Sequence, residues 1–184
     1  MSDSSELSEL SEPSFSPMLR ALEPSDATLL YEWENDPQVW AQGCTIAPYS
    51  LKQLRDYVEN YDADIYSARQ LRLMIVADDI GDTVGTVDLY DFDPINTRCG
   101  VGILIAPPYR RRGYALKALE DVAQYCRTRL SLHQLWCVAG ADNEASRSLF
   151  TRAGYTPSGR LRSWLRSAGR YTDAYIYQFL MHNP

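Results

Sequence analysis

The residues best suited to chemistry form one short stretch, Arg110-Arg111-Arg112-Gly113-Tyr114-Ala115, between an apolar strand-like run and a long helical pattern. The first amides of a helix have no partner within it and carry a partial positive charge, which favours a bound anion. Gly113 permits a tight turn, the small Ala115 leaves room, and arginine side chains match phosphate oxygens. The stretch fits a diphosphate-binding turn, although an arginine-rich helix start that is merely solvated is equally compatible. It matches neither the P-loop nor the dinucleotide-binding fingerprint.

The spacing of apolar residues predicts the elements that position this turn. Strands are expected at 18–22, 71–77, 84–91, 98–106, 134–139, 160–166 and 172–180. Helices are expected from Pro24-Ser25-Asp26 to Asn35, over 50–61 with Ser50 as its cap, over 113–130 and over 143–153. The helix at 113–130 should bury Ala115, Leu116, Leu119, Val122, Ala123 and Cys126. Because helices join only some of the strands, the pattern indicates an α+β domain with a mixed sheet rather than a doubly wound one.

Length and composition predict one domain over 18–184 that follows a flexible, acidic Ser/Glu/Pro-rich tail at 1–17. Residues 1–17 lack a basic flank and an apolar segment, so we expect no signal peptide there. No apolar run is long enough to span a membrane, and we therefore expect a cytoplasmic protein. The four cysteines, Cys44, Cys99, Cys126 and Cys137, are scattered and should be free. With His133 and His182 as the only histidines, no metal site is expected.

Charge is divided unevenly along the chain. Residues 1–93 carry a net charge of −14, of which −4 belongs to the tail, and residues 94–184 carry +8. If the halves form different faces, one should attract cations and the other anions. The net charge of −6 and the lack of a motif that combines basic and aromatic residues argue against nucleic-acid binding.

Two motifs resemble the GNAT family of N-acetyltransferases. Arg110-x-x-Gly113-x-Ala115 matches that family's (Q/R)-x-x-G-x-(G/A) signature, and residues 143–155 look like its N-x-x-(A/S)-x-x-(L/I)-(Y/F)-x-x-x-G-(F/Y) pattern. The resemblance covers roughly 18–181 and is greatest to the branch of spermidine N-acetyltransferases and ribosomal-protein N-terminal acetyltransferases. It implies a mostly antiparallel sheet of about seven strands flanked by about four helices. It also implies acetyl transfer from acetyl-CoA to a primary amine without a metal.

The resemblance implies a set of cofactor-binding residues. The amides of residues 111–115 would hold the diphosphate of acetyl-CoA, and Arg110 would shape that loop. Ile103, Leu104 and Ile105 would lie nearest the thioester, with the Leu104 N–H as the oxyanion donor. Asn143 and Ser146 would contact the cofactor arm, although a plain helix N-cap also explains Asn143.

The residues that handle protons are less clear, because the sequence departs from the family at two positions. Phe150 replaces a tyrosine that often serves as the acid, and Gly100 replaces a frequent glutamate. Asp88 and Tyr90, two apart on a strand and so on one face, are the catalytic candidates. Asp88 could act as base or amine anchor, or be an ordinary strand residue. The predicted acceptor-binding residues are Glu32, Trp33, Glu34, Asp88, Tyr171 and Asp173.

The sequence favours a small cationic amine, such as a polyamine, as acceptor. A peptide N-terminus is the close competitor, and a non-catalytic CoA-binding module is the second class of function. Neither a nucleic acid nor a membrane is an expected partner. Family members often form homo-oligomers, and the sequence leaves the oligomeric state open. Phe150 and Tyr155 are expected to be core aromatics, and Cys137 has no histidine to activate it as a nucleophile.

Overall fold

The computed structural model describes residues 18–40, 47–167 and 169–181. The predicted tail, Cys44 and His182 lie outside these ranges.

In the described part of the chain, seven strands and six α-helices follow one another. The strands are β1 (Leu19–Arg20), β2 (Leu71–Val76), β3 (Thr83–Asp93), β4 (Arg98–Ile105), β5 (Gln134–Gly140), β6 (Thr156–Ser167) and β7 (Arg170–Leu180). The helices are α1 (Ala27–Glu34), α2 (Pro37–Trp40), α3 (Leu51–Glu59), α4 (Ile65–Ala68), α5 (Tyr114–Thr128) and α6 (Glu144–Arg152). The short helices α2 and α4 were not predicted, because four residues are too few to show a helical period.

The strands form one sheet in the order β1-β2-β3-β4-β5-β7-β6. The β4–β5 pair is parallel, and the other neighbouring strands are antiparallel. The predicted α+β fold with a mostly antiparallel, seven-stranded sheet is therefore confirmed.

Apolar side chains cover the sheet on both faces, and β2 shows the division. Leu73 belongs to the larger core cluster, which includes Leu119 and Val122 of α5. The next residue, Met74, belongs to a second cluster with Leu30 of α1 and Val58 and Leu54 of α3. Because successive strand residues point to opposite faces, α5 covers one face and α1 with α3 covers part of the other.

Polar side chains define the helix starts. Ser50 caps α3 as predicted: its Oγ accepts from the Gln53 amide at 3.1 Å, and the Gln53 side chain accepts from the Ser50 amide at 2.8 Å. The start of α1 has no side-chain cap. Asp26 instead accepts from the Glu23 amide at 2.8 Å and forms an ion pair with Arg20.

The buried face of α5 begins one residue earlier than predicted. Tyr114 and Ala118 are buried, whereas Ala115 and Leu116 are half-buried. The Tyr114 hydroxyl donates to Asp79 in the β2–β3 turn, so this contact directs the ring inward at the helix start.

Candidate active site

The sheet opens between β4 and β5. Their pairing covers only Arg98–Gly100 with Gln134–Trp136, although β4 continues to Ile105. Beyond Gly100, β4 stays paired with β3 on one side, while β5 continues along β7. The outer half of β4 therefore has one open backbone edge inside the sheet, where an extended ligand can add hydrogen bonds as another strand would.

The register decides which β4 amides face this opening. Ala106 donates to the Val84 carbonyl at 2.9 Å, so Leu104, two residues earlier in the same ladder, also directs its backbone groups towards β3. The Thr97 carbonyl accepts from the Gln134 amide of β5, so the odd-numbered residues of β4 face the β5 side. The assignment of the oxyanion donor to the Leu104 N–H is therefore wrong in this register. Ile103 and Ile105 carry the amides on the open edge.

A tight turn connects this edge to α5. Pro107–Tyr109 form one 3₁₀ turn, Arg111 and Gly113 have positive φ angles of 64° and 90°, and Gly113 caps α5. Leu116 and Lys117 donate to the Gly113 carbonyl. The amides of Tyr114 and Ala115 precede these first helical bonds and are available to an anion.

Arg110 fastens the turn to its surroundings. Its Nε donates to the Ile105 carbonyl at 2.9 Å, and its Nη1 donates to the Gln38 side chain of α2 at 3.2 Å. These bonds agree with the expectation that Arg110 shapes the loop. Arg111 and Arg112 are exposed, and the Arg112 guanidinium lies 5.9 Å from the centre of the Tyr109 ring.

Asp88 faces an arginine that sequence reasoning missed. Arg72, opposite Asp88 in the β2–β3 pair, donates from Nε to Oδ1 at 2.6 Å and from Nη2 to Oδ2 at 3.2 Å. Its Nη1 donates to Glu34 at 3.0 Å, which brings two predicted acceptor-site carboxylates onto one guanidinium. Burial opposes the charge of Arg72, but attraction to Asp88 outweighs it and raises the arginine pKa. The sequence signal for this ion pair was an arginine within the apolar run of β2, because a buried arginine needs a charged partner.

Tyr90 occupies the space above the β4 glycines. It pairs with Gly100, and a Cβ atom built on Gly100 would lie within 2.7 Å of three atoms of its ring. A Cβ on Gly102 would lie 3.8 Å from the same ring. The ring also packs edge-on against Trp136 at 5.2 Å, and Trp136 lines an open groove of about 370 Å³. The phenol thus takes the position where the family resemblance led us to look for a glutamate.

The remaining predicted acceptor residues are not all brought together. Trp33 is 7% exposed and belongs to the second core cluster, which favours a packing role over contact with an acceptor. Glu32 is exposed and projects about 200° around α1 from Glu34. In the β6–β7 hairpin, the Ser163 amide and the Arg160 side chain lower the pKa of Asp173, while Tyr171 is largely exposed. A place for these last two residues beside the acceptor stays a prediction.

The α6 motif has a clear structural role. Asn143 Oδ1 accepts from the Ser146 amide at 3.0 Å and so caps α6, as the alternative interpretation of Asn143 proposed. Phe150 is buried with its ring centre 5.1 Å from that of Tyr155, which confirms both as core aromatics. Burial raises the pKa of Cys137 to about 12, which disfavours a thiolate nucleophile.

Two further observations concern the described residues alone. No group of three or more His, Cys, Asp or Glu side chains is arranged there to hold a metal ion. None of the helices in those ranges combines the length and the apolar character needed to cross a membrane.

Known proteins resemble the chain in sequence and in fold. The acetyltransferase (GNAT) domain family matches residues 18–156. Spermidine N(1)-acetyltransferase of Escherichia coli (strain K12) is 26% identical over 160 residues, or 85% of this chain and 81% of that protein. The putative ribosomal N-acetyltransferase YdaF of Bacillus subtilis (strain 168) is 27% identical over 100 residues, which are 54% of this chain and 55% of that protein.

Among solved structures, spermidine N-acetyltransferase from Vibrio cholerae in complex with CoA and spermine has a TM-score of 0.78 at 23% identity. The match covers 88% of this chain and 94% of that one. A dodecameric structure of the Vibrio cholerae enzyme in an intermediate state has a TM-score of 0.73 at 24% identity, with coverage of 88% and 92%. The fold and the two sequence motifs thus agree on one family.

Proposed function

The chain belongs to the GNAT acetyltransferase family and is an acetyltransferase with acetyl-CoA as co-substrate; from that premise we propose that its acceptor is a small cationic amine of the polyamine class. The observation that carries the proposal is the route from the helix start of α5, along the open edge of β4, to the face that bears Asp88 and Tyr90. Related enzymes named for spermidine support the class of acceptor.

The residues of the chain fit the co-substrate at two places. We place its diphosphate at the amides of Tyr114 and Ala115, with Arg111 and Arg112 adding positive charge beside them. We place its extended arm along Ile103 and Ile105, whose amides face the opening. Arg110 already satisfies the Ile105 carbonyl, so this side chain fixes the edge rather than binding phosphate.

Acetyl-CoA supplies a thioester whose acetyl carbon would accept the amine nitrogen: the C–N bond forms, the C–S bond breaks, and CoA leaves as the thiol, with a proton that balances the one the amine loses. Correct placement of the two reactants provides much of the acceleration. An alkylammonium with a pKa near 10.4 must first lose a proton, which costs about 4–5 kcal/mol at pH 7. The Tyr90 ring lies over Gly100, where the open edge of β4 begins, so we assign the Tyr90 phenol to proton transfer, through water where the distance requires it.

Asp88 is better suited to holding the amine than to removing its proton. Arg72 binds both carboxylate oxygens and fixes their orientation, and it also holds Glu34. The two carboxylates and one guanidinium leave one net negative charge beside the cleft. That charge attracts an ammonium group while Arg72 prevents the carboxylates from repelling each other.

A panel of amines tests this function. Release of free CoA thiol from acetyl-CoA is measured with spermidine, spermine, an alkyl monoamine of similar length, amino sugars, aminoglycosides and N-terminal peptides. We expect the polyamines to give the highest kcat/KM. Turnover with peptides alone would replace the proposal with N-terminal acetylation. Binding of CoA without turnover of any amine would indicate a non-catalytic module.

A pair of variants on α1 tests the acceptor site. Glu34→Gln should raise the KM for spermidine about tenfold, because it removes the net negative charge, and leave the KM for acetyl-CoA within about twofold. Glu32→Gln, on the other side of the same helix, is the matched control and should change neither constant. Equal effects of the two variants would show that the acceptor responds only to the total negative charge of α1, and would overturn the specific role of Glu34.

A further inference from the structure

The turn between β2 and β3 is rich in aspartate and lies against the loop that precedes α5. We call residues 78–82 the acidic turn; three of its five residues are Asp78, Asp79 and Asp82. Both carboxylate oxygens of Asp79 accept from the Tyr114 hydroxyl, at 2.9 and 3.0 Å. Asp82 accepts from the Tyr109 hydroxyl at 3.0 Å.

The two tyrosines lie at the two ends of the loop. Tyr109 closes the 3₁₀ turn and Tyr114 is the first residue of α5, so residues 110–113 run between two side chains fixed by the acidic turn. Within this loop Arg111 adopts a left-handed conformation, with φ 64°, that a non-glycine residue adopts only at a cost. Such a conformation persists where its surroundings impose it. Fixed ends on both sides supply that constraint.

The charge of the acidic turn does not explain its place beside an anion site, because carboxylates there oppose anion binding. The hydrogen bonds that these carboxylates accept do explain it. The bond to Asp82 raises the pKa of Tyr109, and burial together with the bond to Asp79 raises that of Tyr114. Both phenols therefore stay protonated and keep donating at physiological pH.

We infer that Asp79 and Asp82 are positioning residues for acetyl-CoA: through Tyr114 and Tyr109 they hold the loop amides in the arrangement that receives the diphosphate. This inference rests on the proposed placement of the co-substrate. The hydrogen bonds of Asp79 and Asp82 described above go to the loop tyrosines, whereas Arg72 holds the proposed acceptor carboxylates Asp88 and Glu34. The effect of the acidic turn is confined to the affinity for ligands that carry a diphosphate.

The first test compares CoA binding by calorimetry in the wild-type protein and in Asp79→Ala, Asp82→Ala and the double variant. We expect Asp79→Ala to raise the Kd for CoA about tenfold, as loss of a hydrogen bond to a charged group would, and Asp82→Ala, whose bond to Tyr109 is exposed, to raise it about twofold to threefold. The kcat at saturating acetyl-CoA and the KM for the amine should stay within about twofold. Asp79→Asn, which keeps an accepting oxygen, should restore most of the affinity.

Asp78→Ala is the matched control in the same turn. Asp78 forms an exposed ion pair with Lys117 at 3.5 Å, so its loss should change the Kd little. If Asp79→Ala fails to fold, Tyr114→Phe removes the same hydrogen bond and keeps the ring in place. The Tyr114→Phe variant should show the same rise in Kd.

A thioester without a diphosphate separates positioning from general damage. With S-acetylpantetheine, Asp79→Ala should retain the wild-type kcat/KM within about twofold, while kcat/KM with acetyl-CoA falls about tenfold. Equal losses with both thioesters, or an unchanged Kd for CoA, would overturn the inference. If the wild-type protein itself fails to bind CoA, the proposed function fails instead.

Discussion

The contact between Tyr90 and Gly100 gives the sharpest prediction. A Cβ atom on Gly100 would lie within 2.7 Å of the Tyr90 ring, whereas carbon atoms in contact are ordinarily about 3.5–4.0 Å apart. In Gly100→Ala the ring must therefore move by about 1 Å, away from its packing against Trp136. We expect the free energy of unfolding to fall by about 1–2 kcal/mol, as in other overpacked sites.

The same substitution should have the opposite effect without the ring. Gly100 does not have a positive φ angle, so alanine fits its backbone. In a Tyr90→Ala background, Gly100→Ala should be neutral or stabilise by up to about 1 kcal/mol, because it restricts the unfolded chain. The double-mutant cycle, measured by urea denaturation, should therefore give a coupling energy of about 2 kcal/mol.

Gly102→Ala is the control for this cycle. Its Cβ atom would lie 3.8 Å from the Tyr90 ring, an ordinary contact, so its stability change should not depend on Tyr90. A Gly100→Ala penalty that persists in the Tyr90→Ala background would show that the ring is not the obstacle. The assignment of the space above Gly100 to Tyr90 would then be wrong, and with it the argument for the phenol in proton transfer.

Three other perturbations have expected outcomes. Arg72→Met leaves Glu34 and Asp88 without their shared partner and should lower the free energy of unfolding by about 2–3 kcal/mol in urea titrations. Ala115→Glu should raise the Kd for CoA at least about 100-fold in calorimetry while the Tm stays the same or rises, since a carboxylate suits a helix start. Burial alone would raise the pKa of Asp26, but the ion pair with Arg20 contributes to a net lowering of that pKa. The pair therefore stabilises the fold above the ordinary aspartate pKa, and this stabilisation is lost as the pH falls through the lowered pKa of Asp26. Asp26→Asn should therefore flatten the acid limb of a plot of stability against pH, and an unchanged limb would contradict this.

Local patterns were enough to predict much of the framework. Short apolar runs bounded by turn residues placed β2, β3 and β4 to within about two residues, since these strands are largely buried on both faces. The turn at residues 110–113 was also predictable, because glycine and the arginines mark it within a few positions. These features depend on neighbours in the sequence.

Features that depend on register were not predictable in the same way. The backbone direction of Leu104 follows from its pairing with β3, and a shift by one residue would have exposed its amide instead. The binding of Asp88 by Arg72 joins residues 16 positions apart across two strands. Trp33 was assigned to the acceptor site although its spacing from Leu30 already indicates the buried face of α1.

The early end of the β4–β5 pairing has a consequence for the protein in the cell. An unpaired strand edge within a sheet exposes backbone to solvent, and a ligand that pairs with it completes the sheet. Any molecule that binds only the folded form also shifts the equilibrium towards that form. Resistance of the chain to proteolysis and heat should therefore rise and fall with the supply of its acyl donor, so that starvation of that metabolite shortens the lifetime of the protein.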